Sequence, residues 1–302
     1  KSLFGTGIDP HKIAHISQDI DTLNEILSMQ MRTPVRFPMW VPTKTNQRFK
    51  ASSKRLDAVI QEIISTRRNT LESNPEAQFD DLLQMLITAK DEETGEQMTD
   101  KQLRDEIVTL FIAGHETTAM AMSWAMYLLA QHPEIVQKMR REAHEVLGEH
   151  LPNFENIRQL IYTSQVVNEV LRLYPPAWAI SRQVMEDQKI GEYLIPAKEQ
   201  VFFCPYLLHR NKAYWTNPEE FNPDNFLPER IKQRPSYSYL PFGGGPRLCI
   251  GNNFALMEMQ IMLTLLVKHF DFEKMENVIP DPQITLKPKG NMPIKVSMSA
   301  EF

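Results

Sequence analysis

Cysteine is scarce in this sequence. The 302 residues contain only Cys204 and Cys249, which lie 45 positions apart. Two cysteines cannot form a disulfide framework, and they cannot supply a cysteine-rich zinc or iron–sulfur site. This usage is typical of a reducing compartment, so the sequence predicts a cytoplasmic location.

Long apolar runs and tracts of basic residues are also absent. No stretch of about 18 or more uncharged apolar residues occurs, which excludes a membrane-spanning helix within these residues and leaves membrane association through other segments open. The net charge of −5 and the lack of a Lys/Arg tract argue against a nucleic-acid-binding protein. The opening KSLFGTGIDP has no initiator Met or signal-peptide pattern, and is typical of the middle of a longer chain.

Helical periodicity dominates the first 174 residues. The clearest helix begins at Thr99, which forms a capping-box pattern with Gln102, and its apolar periodicity continues to about Gln131. A second amphipathic helix follows from Pro133 to near Gly148, with Pro at the start and Gly past the end. A third is predicted from Ile157 to Tyr174, before a double proline.

A break in the helical pattern lies near the start of the chain, at Thr33 to Pro42. Three prolines interrupt an otherwise helical region there and mix with Phe37, Met39 and Trp40. The segment is either a packed connector or a lid over an apolar pocket.

Strands are predicted only after the double proline at 175–176. The candidate strands are Trp178 to Val184, Lys189 to Ile195 and Gln200 to Phe203, and Gln283 to Leu286 with Ile294 to Met298 as a last hairpin. A helix that is apolar nearly all round, and therefore buried, is predicted to start near Asn252. The fold class expected is mainly α with a minor β component.

Polar residues at the centre of the longest helix need an explanation. The run His115-Glu116-Thr117-Thr118-Ala119 is half of the zinc motif HExxH, but Ala119 replaces the second His, which argues against a zinc hydrolase. A structural alternative is that a threonine bonds a backbone carbonyl one turn back while the glutamate extends from the helix edge.

The segment FGGGPRLCIG, from Phe242 to Gly251, carries the strongest chemical signal. Three glycines followed by a proline are incompatible with regular helix, and they let backbone approach a flat, bulky group. Cys249 precedes the predicted buried helix, whose positive end and free N–H groups favour a thiolate. Arg247 offers a fork of donors suited to a carboxylate.

This segment resembles the haem-binding signature of the cytochrome P450 family, F-x-x-G-x-R-x-C-x-G, through Phe242, Gly245, Arg247, Cys249 and Gly251. The resemblance implies that Cys249 is the thiolate ligand of the iron of haem b (heme b, iron protoporphyrin IX). It also implies a group of cofactor-binding residues, listed here in chain order: Ala113, Gly114, Arg182, Phe242, Gly243, Arg247, Cys249 and Gly251.

Three further motifs are similar to those of the family. In AGHETT, Ala113 and Gly114 match the small pair that makes room over the haem, and Glu116 with Thr117 matches the acid–alcohol pair that handles protons near dioxygen. In this interpretation Thr118 only packs. Glu116 and Thr117 are therefore the predicted catalytic residues.

The family's E-x-x-R motif is matched by Glu169 and Arg172, whose spacing lets them share an ion-pair network. FNPDNF is similar to the family's F-x-P-x-R-F, but Asn225 stands where Arg is common. The third member of the usual Glu–Arg–Arg network is thus open, with Arg230 as one candidate.

The resemblance extends from about Phe79 to Val296, and residues 1–302 match the larger, C-terminal portion of a single cytochrome P450-like haem domain whose N-terminal part is not in this chain. It implies a monooxygenase that inserts one atom of O2 into a hydrophobic small molecule such as a fatty acid, terpenoid or steroid. No Rossmann fingerprint is present, so electrons would come from a separate flavin or iron–sulfur protein or domain. A set of basic residues is either its docking face or a solvated rim: Lys138, Arg140, Arg141, Lys232 and Arg234.

The sequence leaves three alternatives open. A peroxide-driven peroxygenase or haem isomerase of the same fold would need no electron donor, although such branches often lack the Glu116–Thr117 pair. A haem-binding sensor or carrier would catalyse nothing. A truncated remnant would not hold haem.

Overall fold

The computed structural model describes residues 10–33, 37–74 and 76–299, with side chains from His15 onward. These residues form two compact units that divide between His115 and Glu116. The expectation that residues 1–302 belong to one haem domain stays a prediction. In the part of the chain that the structure describes, no helix is both long and apolar enough to cross a membrane.

The described part of the first unit is mainly helical. Its helices are α1 (Pro10–Arg32), α2 (Lys44–Ser73), α3 (Leu82–Thr88) and the first half of α4 (Asp100–Leu129). Two apolar clusters hold them, one around Ile60 and Leu83 and one around Ile20 and Leu56. Burial of these aliphatic side chains is the main favourable contribution to the packing of this unit.

Short polar side chains fix where these helices begin. The Thr43 hydroxyl accepts a hydrogen bond from the Asn46 N–H at 3.1 Å and caps α2. Asp81 caps α3 by accepting from the Gln84 N–H at 2.9 Å, and it is also paired with buried Arg67 at 2.6 Å. The hydrogen bonds from the Arg67 guanidinium lower the pKa of the Asp81 carboxyl.

The capping box predicted for α4 is confirmed. The Gln102 N–H donates to the Thr99 hydroxyl at 3.3 Å, and the Thr99 N–H donates to Gln102 Oε1 at 3.0 Å. The helix that follows ends at Leu129, close to the predicted end near Gln131. Local sequence is sufficient here because both ends of the signal lie within one turn.

The break between α1 and α2 is observed, but the packed-connector interpretation of it is wrong for the residues that are described. Trp40 is 79% exposed and Phe37 is 64% exposed, so most of each ring lies outside the core of the described chain. Residues 34–36 lie outside the described residues. The lid interpretation stays a prediction.

Among its described residues, the second unit contains the end of α4 and five further α-helices. They are α5 (Pro133–Leu147), α6 (Ile161–Leu173), α7 (Pro205–Leu208), α8 (Pro228–Gln233) and α9 (Asn252–His269). The predicted limits of α5 are confirmed, because Pro133 is its first residue and Gly148 follows it with a φ of +52°. Trp124, Met139, Val167 and Leu263 form the centre of one shared core between α4, α5, α6 and α9.

The strands of the second unit are short and pair two by two within the described residues. They are β1 (Ile180–Gln183), β2 (Gln188–Ile190), β3 (Tyr193–Ile195), β4 (Gln200–Phe203), β5 (Phe270–Lys274), β6 (Pro280–Pro282), β7 (Leu286–Pro288) and β8 (Ile294–Met298). The antiparallel pairs are β1–β4, β2–β3, β5–β8 and β6–β7. The prediction of a mainly α chain with a minor β component is confirmed.

Three predictions about elements need correction. The predicted strand from Lys189 to Ile195 is the β2–β3 hairpin, which turns at Gly191 with a φ of +57°. The predicted last hairpin does not form, because β8 pairs with β5, while β7 pairs with β6. Helix α9 buries one face rather than all sides, since Leu263 is fully buried and Met262 is 42% exposed.

Candidate active site

The segment from Phe242 to Gly251 forms a tight loop that leads into α9. Gly243 and Gly245 adopt left-handed conformations, with φ values of +74° and +66°, which side chains with a Cβ rarely adopt. The chain therefore reverses, and the Cys249 N–H donates to the Phe242 carbonyl at 3.0 Å. The glycines thus serve to bring Cys249 back beside the start of the loop.

The loop presents its thiol outward between apolar side chains. Cys249 is a free, exposed cysteine. Its neighbours Leu248 and Ile250 are 50% and 89% exposed. Covering exposed aliphatic side chains with an apolar surface lowers the free energy, because the side chains are removed from water. A side chain at Gly251 would place its Cβ 4.0 Å from the Cys249 Sγ, so glycine keeps the space beside the sulfur open.

Helix α9 begins three residues after Cys249, at Asn252, with Gly251 as its N-cap. The first N–H groups of a helix have no partner within the helix, and its N-terminal end carries a partial positive charge. Both features stabilise an anion that lies near the N-terminus of α9. The thiol, the apolar flanks and the helix end together fit a flat apolar cofactor whose metal takes a thiolate ligand.

Strand β1 lies beside this loop and carries Arg182. A Cβ on Gly243 would lie 3.6 Å from the Ile180 Cδ1, so the start of β1 contacts the glycines. Side chains two positions apart point to the same face of a strand, which places Arg182 on the same face as Ile180. Arg182 and Arg247 are both exposed. They offer two guanidinium groups to acidic substituents of a bound molecule.

The α4 residues predicted for the site differ sharply in burial. Ala113 and Gly114, at the end of the first unit, are not buried, whereas Glu116, at the start of the second, is only 6% exposed. Thr117 is half-buried.

Sequence reasoning missed the groups that contact Glu116. The Thr285 hydroxyl donates to the Glu116 Oε1 at 3.0 Å, and the Lys287 Nζ lies 2.6 Å from the same oxygen. Thr285 is 169 positions from Glu116 in the chain, so no local pattern links them. The helix carboxylate is thus held by the β6–β7 hairpin.

Glu169 and Arg172 form a separate, fully buried ion pair on α6. Both side chains have 0% exposure, and two hydrogen bonds of 2.7 Å join the carboxylate to the guanidinium. Arg172 also donates to the carbonyls of His209, Pro218 and Glu220, at 2.9, 2.6 and 2.8 Å. A buried charge is costly unless its polar atoms have hydrogen-bond partners, and these bonds provide the partners of Arg172.

Asn225 supplies an amide to this network where the resemblance predicts a guanidinium. Its Nδ2 donates to the Glu169 Oε1 at 3.1 Å. Arg230 reaches the Asn225 Oδ1 at 3.4 Å, and Arg234 donates to the Asn225 carbonyl at 2.9 Å. Both arginines therefore contact Asn225.

His209, which the sequence analysis did not single out, connects this network to the Cys249 loop. The Leu240 N–H donates to its Nε2 at 2.8 Å, and its Nδ1 lies 3.1 Å from the Arg172 carbonyl. Burial lowers the pKa of His209 to about 3, so the ring is neutral at neutral pH and Nδ1 carries the proton. Leu240 in turn accepts a hydrogen bond from the Gly243 N–H at 3.2 Å.

The predicted basic rim loses one member. Arg140 is 4% exposed and donates to the Val267 and Phe270 carbonyls at 2.7 and 2.9 Å, and to Asp271 at 2.6 Å. Its guanidinium is therefore engaged inside the unit rather than presented to a partner. Lys138, Arg141 and Lys232 are exposed, while Arg234 is half-buried over the Trp215 ring.

The family model for cytochrome P450 matches residues 2–296. Cyclooctatin synthase from Streptomyces melanosporofaciens is 35% identical over 95% of this chain, and cyclooctat-9-en-7-ol 5-monooxygenase from the same organism is 32% identical over 89%. A bifunctional cytochrome P450/NADPH–P450 reductase from Bacillus subtilis is 35% identical over 93%.

The chain spans only part of each of these relatives. The matched region covers 62% of cyclooctatin synthase, 58% of the 5-monooxygenase and 27% of the bifunctional protein.

Proposed function

The chain belongs to the cytochrome P450 family, and we propose on that premise that it carries out haem-thiolate monooxygenation. In this reaction one oxygen atom of O2 enters a hydrophobic small molecule and the other leaves as water, which consumes two electrons and two protons. The observation that carries the proposal is the loop before α9 in which Cys249 is exposed between Leu248 and Ile250.

The residues of the loop fit the cofactor of the family. Members of the family bind haem b through a cysteine thiolate. Cys249 would be the ligand to the iron, and Leu248 and Ile250 would be covered by the porphyrin. Arg182 and Arg247 would pair with its propionates, and Phe242, Gly243 and Gly251 would shape the contact surface.

Bound haem supplies the oxidising chemistry, and the protein positions the groups around it. Ala113 and Gly114 have no bulk beyond one methyl group, which suits a helix that passes close to a ligand. Glu116 holds a carboxylate within α4, and Thr117 follows with a hydroxyl. A positioned acid of this kind supplies protons to a reacting oxygen.

A hydrophobic small molecule is the substrate class that fits best. One relative is named as a monooxygenase of cyclooctat-9-en-7-ol. In this chain the exposed rings of Phe37 and Trp40 suit an apolar lid. We propose a substrate within the range of fatty-acid-like, terpenoid or steroid molecules.

Electrons would come from a flavin or iron–sulfur protein, or from a fused domain. One relative is named as a fusion of a P450 with an NADPH–P450 reductase, which supports a donor of the reductase kind. The exposed cations Lys138, Arg141 and Lys232 are candidates for its docking face.

The proposed function is tested by the absorption spectrum of the full-length protein, reduced under carbon monoxide. We expect the red-shifted Soret band of a thiolate-ligated haem. Cys249→Ser should remove this band completely, whereas Cys204→Ser should retain it, because the Cys204 thiol contacts the Trp178 carbonyl instead. A band that survives in Cys249→Ser would contradict the proposal.

The alternatives are separated by what drives turnover. A monooxygenase forms product with a reduced partner and O2. Turnover with peroxide alone and none with electrons would favour a peroxygenase or isomerase, and a full spectrum without any product would favour a haem-binding sensor or carrier.

A further inference from the structure

We propose that Thr285 and Lys287, at the β6–β7 hairpin, are positioning residues that hold the Glu116 carboxylate and thereby set the supply of protons to the reaction. The inference rests on the proposed function, because it assigns a task to residues that act through Glu116.

The contacts that carry the proposal converge on one oxygen. The Glu116 Oε1 accepts from the Thr285 hydroxyl at 3.0 Å and lies 2.6 Å from the Lys287 Nζ. The exposed fraction is 8% for the Glu116 side chain and 20% for that of Lys287. A buried carboxylate is costly unless it is paired and hydrogen-bonded, and these two groups provide both interactions.

The hairpin is anchored so that both side chains are held against α4. Leu286, between them, is 2% exposed, and its carbonyl accepts from the Trp124 Nε1 at 2.8 Å. The Leu286 N–H donates to the Pro176 carbonyl at 3.0 Å. Residues 285 and 287 are two positions apart in extended chain, so their side chains point to the same side. The anchor at Leu286 therefore presents Thr285 and Lys287 together to Glu116.

The arrangement also connects the carboxylate to solvent. A proton that Glu116 passes on must be replaced from water, and the Lys287 side chain, which contacts the Glu116 oxygen, is itself 20% exposed. A carboxylate that is held in one position keeps the geometry in which it can pass a proton to the hydroxyl of the neighbouring Thr117. Without Lys287, the Glu116 carboxylate would lose the cation that lies 2.6 Å from its Oε1 and would be held less firmly in this position.

The ion pair itself is tested by a double-mutant cycle on the thermal unfolding of the full-length protein. Lys287→Met should lower Tm by several degrees, because it removes the cation that pairs with a buried carboxylate. The double variant Glu116→Gln/Lys287→Met should recover most of this loss. If the loss in the double variant equals the sum of the losses in Glu116→Gln and Lys287→Met, the two groups do not interact. This result would overturn the proposal.

The positioning role is tested by the coupling of electron consumption to product formation in the haem-loaded enzyme. Lys287→Met should lower product formed per electron by about tenfold or more, with little change in KM. Lys287→Arg should restore most of the coupling, and Thr285→Val should show a smaller loss than Lys287→Met. Lys289→Met is the matched control, since Lys289 is an exposed lysine two positions further along; it should behave like the parent.

The outcomes are distinguishable. A non-additive unfolding cycle with unchanged coupling would mean that the ion pair only stabilises the fold, which overturns the positioning role. A full-length parent without a thiolate-haem spectrum would contradict the proposed function, and with it any role in proton supply, whatever the unfolding cycle shows.

Discussion

Two clusters of charged or reactive side chains in the second unit are built in opposite ways. Around Glu169 and Arg172, with 0% exposure, the protein itself supplies the hydrogen-bond partners described above. Around Cys249 the thiol and the neighbouring Leu248 and Ile250 are turned outward. A cluster that is satisfied internally stabilises the fold, whereas a cluster that leaves its chemistry exposed is suited to a ligand.

The buried cluster nevertheless positions the exposed one. Arg172 donates to the His209 carbonyl, His209 accepts from the Leu240 N–H, and Leu240 accepts from the Gly243 N–H at the turn of the Cys249 loop. The entry to the loop is thus fixed by hydrogen bonds that lead back to the ion pair. Loss of the buried cluster should therefore remove the loop geometry, while changes at the loop should leave the cluster intact.

The largest expected effect comes from breaking the buried pair. Glu169→Ala leaves the Arg172 guanidinium buried without its carboxylate, which costs about 3–5 kcal/mol of unfolding free energy. Arg182→Ala removes an exposed guanidinium and should cost less than about 0.5 kcal/mol. Chemical denaturation of both variants checks the difference. Similar losses would mean that the two regions do not differ as described.

A smaller effect is expected at Asn225. Its amide donates to the Glu169 carboxyl group, which pairs with Arg172. Asn225→Ala should therefore lower the unfolding free energy by about 1.5–3 kcal/mol, as for other hydrogen bonds to charged groups. Asn225→Asp is the sharper variant, because it places a second carboxylate beside Glu169 and should be more destabilising than Asn225→Ala. If Asp were tolerated better than Ala, the amide would not be donating to Glu169.

The features that the sequence predicts correctly are those whose signals lie within a short stretch of the chain. The capping box of Thr99 and Gln102 and the loop before Cys249 are complete within ten residues, and both can be identified from the sequence. The pairing of β8 with β5 joins strands that are separated by another hairpin, and strand propensity does not determine a partner.

Contacts between distant segments explain the remaining misses at the site. Thr285 and His209 have no motif of their own, and their roles depend on Glu116 and Arg172, which lie 169 and 37 positions away. The part played by Asn225 was left open for the same reason, since only the fold shows that an amide reaches Glu169.

A gradual effect, smaller per pH unit than the losses expected at Glu169 and Asn225, is the pH dependence that His209 confers on stability. Its pKa is about 3 in the folded chain and 6.5 when exposed, so below pH 6.5 the unfolded chain binds a proton that the folded chain does not. Its contribution to stability is fully present above pH 6.5 and is lost as the pH falls towards 3, by about 1.4 kcal/mol per pH unit.

This dependence is measured as the unfolding free energy of the parent and of His209→Gln at a series of pH values from 6.5 down to about 4.5. His209→Gln should reduce the slope by about one proton. An unchanged slope would mean that His209 is accessible to protons in the folded chain.

In the proposed function, the Cys249 sulfur, presented by the glycine loop, is bonded as an anion to the iron of a haem. X-ray absorption at the iron edge of the full-length, haem-loaded protein tests it directly. We predict one sulfur neighbour of the iron, present in the parent and in Cys204→Ser and absent in Cys249→Ser. An iron with only nitrogen or oxygen neighbours in the parent would contradict the claim.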